Sequence, residues 1–263
     1  MHLYDLNSIL PGVPWLSLIW LSLLVPAIVI VFLPPEQKQT IRIVGATFAG
    51  ISLILSALVY FGYDYASAQK LQFVEQMPWL PQVGINYILG VDGISLPMVL
   101  LNGLVIFTGA LISWNIESRT REYWILLLLL AAGVYGVFVS LDLFLFFVFY
   151  ELAVLPMYLL IGIWGSTRKE YGAMKLTLYL MGGSAFVILG MVAVYFGSGL
   201  QTFDMRQLSQ VALFSRDFQI AFMIISALTL LAVLPFLAMA KNAGASVSGH
   251  RMAGEEEETL AIK

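Results

Sequence analysis

The sequence predicts an all-α polytopic membrane protein of about seven transmembrane helices, with a small β-hairpin on the outer face. Three observations carry that expectation. Hydrophobic residues make up 60% of the 263 positions, charged residues only 11%, and the mean hydropathy is +0.90. Soluble domains run about 45–50% apolar and about 25% charged, so this chain cannot cover a globular surface with polar side chains. Seven stretches, near 13–33, 41–62, 94–114, 123–140, 142–164, 172–196 and 217–240, each approach the roughly 20 apolar residues that a 30 Å hydrocarbon core requires of a helix.

The composition also excludes whole classes of function. A net charge of −3 leaves no basic face for nucleic acid. With no cysteine, disulfides, thiolate metal sites and cysteine-ligated iron–sulfur clusters are ruled out. The two histidines, His2 and His250, lie near the chain ends and supply no imidazole ligand within the spans. No cofactor and no metal are expected on this chain.

The elements follow in order. The first span lacks a basic leading region and a small-residue cleavage site, so it reads as a helix and not as a signal peptide. The connection 63–93 holds two short strand-like runs, Leu71–Glu75 and Gly84–Leu89, punctuated by Pro78, Pro81 and Gly90. The run 123–164 is too long for one span and is split at Ser140-Leu141-Asp142, where Asp142 can cap the following helix. A second outer connection, 197–216, holds Asp204, a cap for a short surface helix. One bundle is expected over 1–240, followed by a cytoplasmic acidic tail over 241–263 that reads as disordered, with glutamates from 255 to 258.

Ionisable groups inside spans are weighed first, because each costs at least about 2.5 kcal/mol near the bilayer centre. Glu151 is the sharpest. It stands about 13 Å into the fifth span, with no other charge within eight residues on either side. A carboxylate withdrawn from water is suited to loading and releasing protons. Pro156 cannot donate to the carbonyl of Leu152, which frees that acceptor one residue beyond Glu151. The competing reading is a carboxylate that only pins one helix to its neighbour. Asp142, nine residues earlier, faces the opposite side of the helix and reads better as a cap than as half of a carboxylate pair. Lys175, about one turn into the sixth span, either snorkels to the interface or turns inward to pair with Glu151. Gly182-Gly183-Ser184 permits close helix approach.

Several of these runs resemble a known family. Gly90-Val91-Asp92-Gly93-Ile94-Ser95-Leu96-Pro97 opens the third span, Leu143 to Glu151 continues to Leu155-Pro156-Met157-Tyr158, and Tyr171-Gly172-Ala173-Met174-Lys175 leads to Gly182-Gly183-Ser184. Together they resemble the N-terminal half of chain M, or chain 4, of the proton-pumping NADH:quinone oxidoreductase, complex I, over about residues 10–215. The resemblance implies that Glu151, Lys175 and Asp142 correspond to family residues and are the candidates for proton translocation, with Glu151 in the family's proton path. It implies partners as well: other membrane subunits of a complex I-like assembly, with NADH, flavin and iron–sulfur clusters held by those subunits. Lipid is the remaining partner.

The seventh span departs from the family, which carries a central lysine in a broken helix there; residues 217–240 contain no lysine, and the run Ile224 to Pro235 no charge. Two functional readings follow. One is a membrane subunit that contributes to or scaffolds proton translocation. The other is a structural membrane subunit derived from an antiporter-like protein, with no pumping role, in another membrane complex. A seven-helix retinal protein is disfavoured because the seventh span has no lysine for a Schiff base.

Lysine and arginine set the expected orientation. Nine fall on the side of the loops after spans 1, 3 and 5 and the C-terminal tail, against three on the other side. The N-terminus is therefore expected outside and the C-terminus in the cytoplasm, in a bacterial cytoplasmic or thylakoid-type membrane. Reporter domains fused at Lys70 and at Arg168 should report opposite sides; the same side for both would contradict the topology.

Overall fold

The computed structural model describes residues 12–67, 70–165 and 168–211, together with Ile220, Met223, Ile224, Ser226, Ala227, Leu230 and Leu231. Six long helices span the described residues: α1 (Trp15–Val31), α2 (Lys38–Phe61), α3 (Ser95–Ile112), α4 (Thr120–Val139), α5 (Leu143–Trp164) and α6 (Lys169–Ser198). All but α1 are long and apolar enough to cross a membrane; α1 is an apolar helix of 17 residues. Of the seventh expected span, 217–240, the seven residues named above are helical, and the others lie outside the described residues, as does the tail 241–263.

The β-hairpin forms where the alternating pattern placed it. Strands β1 (Gln72–Leu80) and β2 (Ile85–Val91) pair antiparallel, with Glu75 opposite Leu89 and Met77 opposite Tyr87. Both strands run longer than the sequence pattern indicated, because backbone pairing carries β1 past Pro78 through a register shift. The turn closes on Gly84 at φ 71°, a conformation glycine adopts without a Cβ penalty. A Cβ there would also meet the carbonyl of Gln201 at 2.1 Å.

The run 123–164 does break where the polar triplet stands. Helix α4 ends at Val139 and α5 begins at Leu143. Helix α4 is the centre of the bundle, packed on α1, α2, α3 and α5. Trp124, Leu128, Ala132 and Tyr135 along it are fully buried. Its small residues decide how closely neighbours approach. A Cβ at Gly136 would lie 2.0 Å from the Phe149 ring, and one at Gly133 would lie 2.9 Å from the Ala153 backbone nitrogen. In a membrane, where lipid is as apolar as the side chains, such close packing is a main source of helix association. Tyr135 keeps its hydroxyl paired in this apolar setting through Ser56 Oγ at 2.9 Å.

At the end opposite the hairpin, Glu117 clamps the start of α2 to the α3–α4 connection. It accepts from Lys38 at 2.8 Å and Arg42 at 2.6 Å. Those hydrogen bonds hold its carboxyl down at about 2. Helix α6 lies at the edge of the bundle: of its 30 residues only Ala173, Ser184 and Met191 are buried.

Replacing Gly136 with leucine should force α4 and α5 apart. Overpacking of this kind costs about 1–3 kcal/mol, read as a lowered unfolding temperature in mild detergent. An unchanged transition would mean that the α4–α5 contact contributes nothing.

Candidate functional site

Helix α5 carries both carboxylates that the sequence singled out, and the fold gives them different surroundings. Asp142 is its N-cap. Its Oδ1 accepts from the backbone N–H groups of Phe144 at 3.0 Å and Leu145 at 3.1 Å. Oδ2 accepts from Asn86 N–H of β2 at 3.1 Å. The residue is fully buried. Around it three backbone segments are sewn together: Leu141 N–H donates to Ile88 O, Leu143 N–H to Phe203 O, and Met205 N–H to Leu141 O, each at 2.9 Å. Asp142 thus joins the hairpin, the α4–α5 break and the 201–205 loop. Burial pushes its carboxyl above the ordinary aspartate range against these hydrogen bonds, and the charge of Asp204 adds to the rise.

Asp204, also buried, caps the short helix α7 (Met205–Leu208) through Arg206 N–H. Burial pushes its carboxyl up, but bonds from Arg206 and Gln207 outweigh that and hold it below the usual range. The Arg206 guanidinium lies 2.8 Å from it and also donates to Gln76 of β1 at 3.0 Å. Sequence reading found Asp204 as a cap but not its link to the hairpin.

Glu151 lies on the ninth residue of α5 and has no such company. One of its carboxylate oxygens, Oε1, is buried without a hydrogen-bond partner among the described residues. Unpaired buried polar atoms are rare and costly, and this one belongs to an ionisable group flanked by apolar residues. Pro156 lies within the same helix and is buried.

The fold does not bring Lys175 to Glu151. Lys175 stands on the exposed side of α6, with its ammonium 5.8 Å from the Tyr171 ring centroid and 6.0 Å from that of Tyr179. Those tyrosines lie one helical turn before and after it, so the cation is held along α6 by its own helix. Of the two orientations open from the sequence, the inward pairing is not the one adopted.

A further carboxylate was missed. Glu75 of β1 reaches the first turn of α1, accepting from Leu16 N–H at 2.6 Å, from Ser17 N–H at 3.1 Å and from the Ser17 hydroxyl. The Tyr87 hydroxyl is 2.6 Å from Ser17 Oγ and accepts from Trp20 Nε1 at 3.1 Å. Since Ser17 gives its proton to Glu75, Tyr87 donates to Ser17, and the chain of donors ends on the carboxylate. Burial pushes the Glu75 carboxyl up, while the bonds from Ser17 and Leu16 act the other way. Only strand alternation together with a helix start lacking its own cap could have signalled this. Among the described residues no group of three histidine, aspartate or glutamate side chains gathers into a metal site.

Comparison with known proteins connects this geometry to a family. Residues 140–246 match the family described as NADH:quinone oxidoreductase/Mrp antiporter, transmembrane. The chain is 37% identical over 219 residues to "NAD(P)H-quinone oxidoreductase chain 4 2" of Trichodesmium erythraeum, covering 83% of this chain and 38% of that relative. It is 39% identical over 198 residues to the chloroplastic chain 4 of Chlorokybus atmophyticus, covering 75% of this chain and 38% of the relative. The chain therefore spans under two fifths of the length of these relatives. Among solved structures, respiratory complex I from Thermus thermophilus with bound NADH aligns over 73% of this chain and 38% of its own, at TM-score 0.63 and 26% identity. A chain of the Mrp complex from Dietzia sp. shares the fold, covering 73% of this chain and 20% of its own, at TM-score 0.60 and 18% identity.

The cap geometry has a measurable consequence. Asp142→Ala leaves three backbone N–H groups unpaired at a buried position and should cost more than Asp142→Asn, which can keep the α5 cap. An unsatisfied buried donor costs about 1–3 kcal/mol. Thermal unfolding in detergent should rank wild type above the asparagine variant and that above the alanine variant. Equal stability for all three would show that the junction is not held by this side chain.

Proposed function

This chain is a relative of NAD(P)H-quinone oxidoreductase chain 4, and on that premise we propose that it is a membrane subunit of a complex I-like NAD(P)H:quinone oxidoreductase in which Glu151 carries protons within the membrane. The observation that supports this reading is the buried, unpaired Oε1 of Glu151 in the middle of α5. A carboxylate that only pinned two helices would have a donor on the neighbouring helix. Glu151 has none among the described residues, so its lone pairs are available to a water or to a proton donor. The carbonyl of Leu152, freed by Pro156, lies next to it and offers a second acceptor for such a water.

The other two residues serve this one. Asp142 fixes the start of α5, and with it the depth at which Glu151 stands. Lys175 places a cation on the edge helix, facing outward, where it biases the potential at that side of the bundle. The electron donor and the quinone are handled by other subunits. The N-terminus lies outside and the C-terminus in the cytoplasm, so the hairpin and the Asp142 junction face outward and the Glu117 clamp faces inward.

Glu151→Gln tests the proposal, because it keeps the shape and removes the titrating group. In the intact complex it should leave assembly and membrane content unchanged and lower the number of protons moved per electron. Unchanged proton stoichiometry with normal assembly would reject a carrying role and leave α5 as scaffold.

A further inference from the structure

Trp20 stands in the second turn of α1, and two of its contacts lead in opposite directions. Its Nε1 donates to the Tyr87 hydroxyl of β2 at 3.1 Å. Its ring meets the Phe149 ring of α5 edge to face, with centroids 5.2 Å apart and planes at 73°, a geometry that aromatic pairs favour. Tyr87 is itself held, since its hydroxyl donates to Ser17 and Ser17 donates to Glu75. The indole is thus oriented from the hairpin by a hydrogen bond and presented to α5 in one pose.

On its other side Phe149 is closed off by the central helix. Gly136 of α4 lies against the Phe149 ring, and Gly133 lies against the backbone of Ala153. Phe149 and Ala153 are one turn apart and bracket Glu151. At about 100° per residue, Glu151 stands roughly 200° around the helix from each of them. With both brackets turned to α4, the carboxyl lies on the far side of α5, which is why the central helix gives it no donor. Only Phe149 contributes a large side chain to this bracket. Beyond it, Pro156 removes the bond to the Leu152 carbonyl and leaves the helix less constrained. The rotation of α5 at the level of Glu151 therefore rests on the Phe149 ring, wedged between Gly136 and Trp20.

We propose that Trp20 and Phe149 are positioning residues for Glu151: together they fix the rotation of α5 that turns the carboxyl away from α4, and the hairpin, through Tyr87, fixes Trp20. Asp142 sets the depth of the carboxylate, and this wedge sets its direction. The functional meaning rests on the proton-carrying reading of Glu151; the geometry does not.

Infrared spectroscopy of the intact complex in membranes tests it. The carbonyl stretch of the protonated Glu151 side chain is identified as the band lost in Glu151→Gln, and its position reports the surroundings of that carboxyl whether or not protons are pumped. Trp20→Leu and Phe149→Leu should each shift the band. Trp20→Phe, which keeps an aromatic edge on Phe149, should restore most of its position, and Tyr87→Phe should shift it in the same direction as Trp20→Leu but by less. Ser56→Ala serves as the reference: it breaks the Ser56–Tyr135 contact between α2 and α4, lowers the unfolding temperature and should leave the band in place. If Phe149→Leu does not accumulate, the Trp20 and Tyr87 variants decide. A band unmoved by Trp20→Leu, or an equal shift in Ser56→Ala, would overturn the proposal. A shifted band with an unchanged number of protons moved per electron would uphold the positioning and reject the carrying role of Glu151.

Discussion

The hairpin end of this bundle depends on one buried carboxylate. Asp142 accepts from the first turn of α5 and from the hairpin backbone, and the segment that carries it is paired with the loop before α7. A helix start left without such partners would expose N–H groups that lipid cannot satisfy. Because one residue serves both the helix and the sheet, the hairpin is part of the bundle and not an appendage to it. Arg206 extends the same junction by bridging Asp204 to Gln76. Glu75 closes the other side by capping α1 from β1. The hairpin thus supplies an acceptor to one helix and receives one from another.

That frame gives Glu151 its character. With α5 anchored at Asp142, the carboxylate is carried about 13 Å along the helix axis, among aromatic and aliphatic neighbours. Nothing in the described bundle donates to its buried oxygen. The contrast between the two carboxylates of one helix is the chemical content of the site. Asp142 accepts three backbone hydrogen bonds and holds the junction together. Glu151 is left with open lone pairs, at an energetic cost that a purely structural residue would not need. Lys175, held between its own tyrosines on the outer side of α6, does not relieve that cost.

Much of this was legible in the sequence because the signals were local. Apolar runs located the helices. The Ser140-Leu141-Asp142 triplet marked the α4–α5 break, since it places a cap residue near the middle of the 42 near-continuously apolar positions from 123 to 164. Pro81 marked the hairpin turn, while Pro78 and Gly90 fall inside its strands. What stayed hidden was long-range. The bond from Asn86 to Asp142 joins residues 56 apart, and that from Leu16 to Glu75 joins residues 59 apart; neither leaves a trace in periodicity. Glu75 stood out only as the end of a strand-like run. The orientation of Lys175 was undecidable from spacing, because a long stem at that depth can turn either way.

Helix α5 holds one hydrogen-bonded carboxylate at its start and one carboxylate with an unpaired buried oxygen nine residues along. Reaction with dicyclohexylcarbodiimide, an apolar reagent that enters lipid and attacks carboxyl groups, separates the two directly when adducts are mapped by peptide mass. In the folded chain within native membranes we expect modification at Glu151, none at Asp142, and labelling of Asp142 only after denaturation. Modification of Asp142 in the folded protein, or a Glu151 that stays unlabelled while α5 remains intact, would contradict the account.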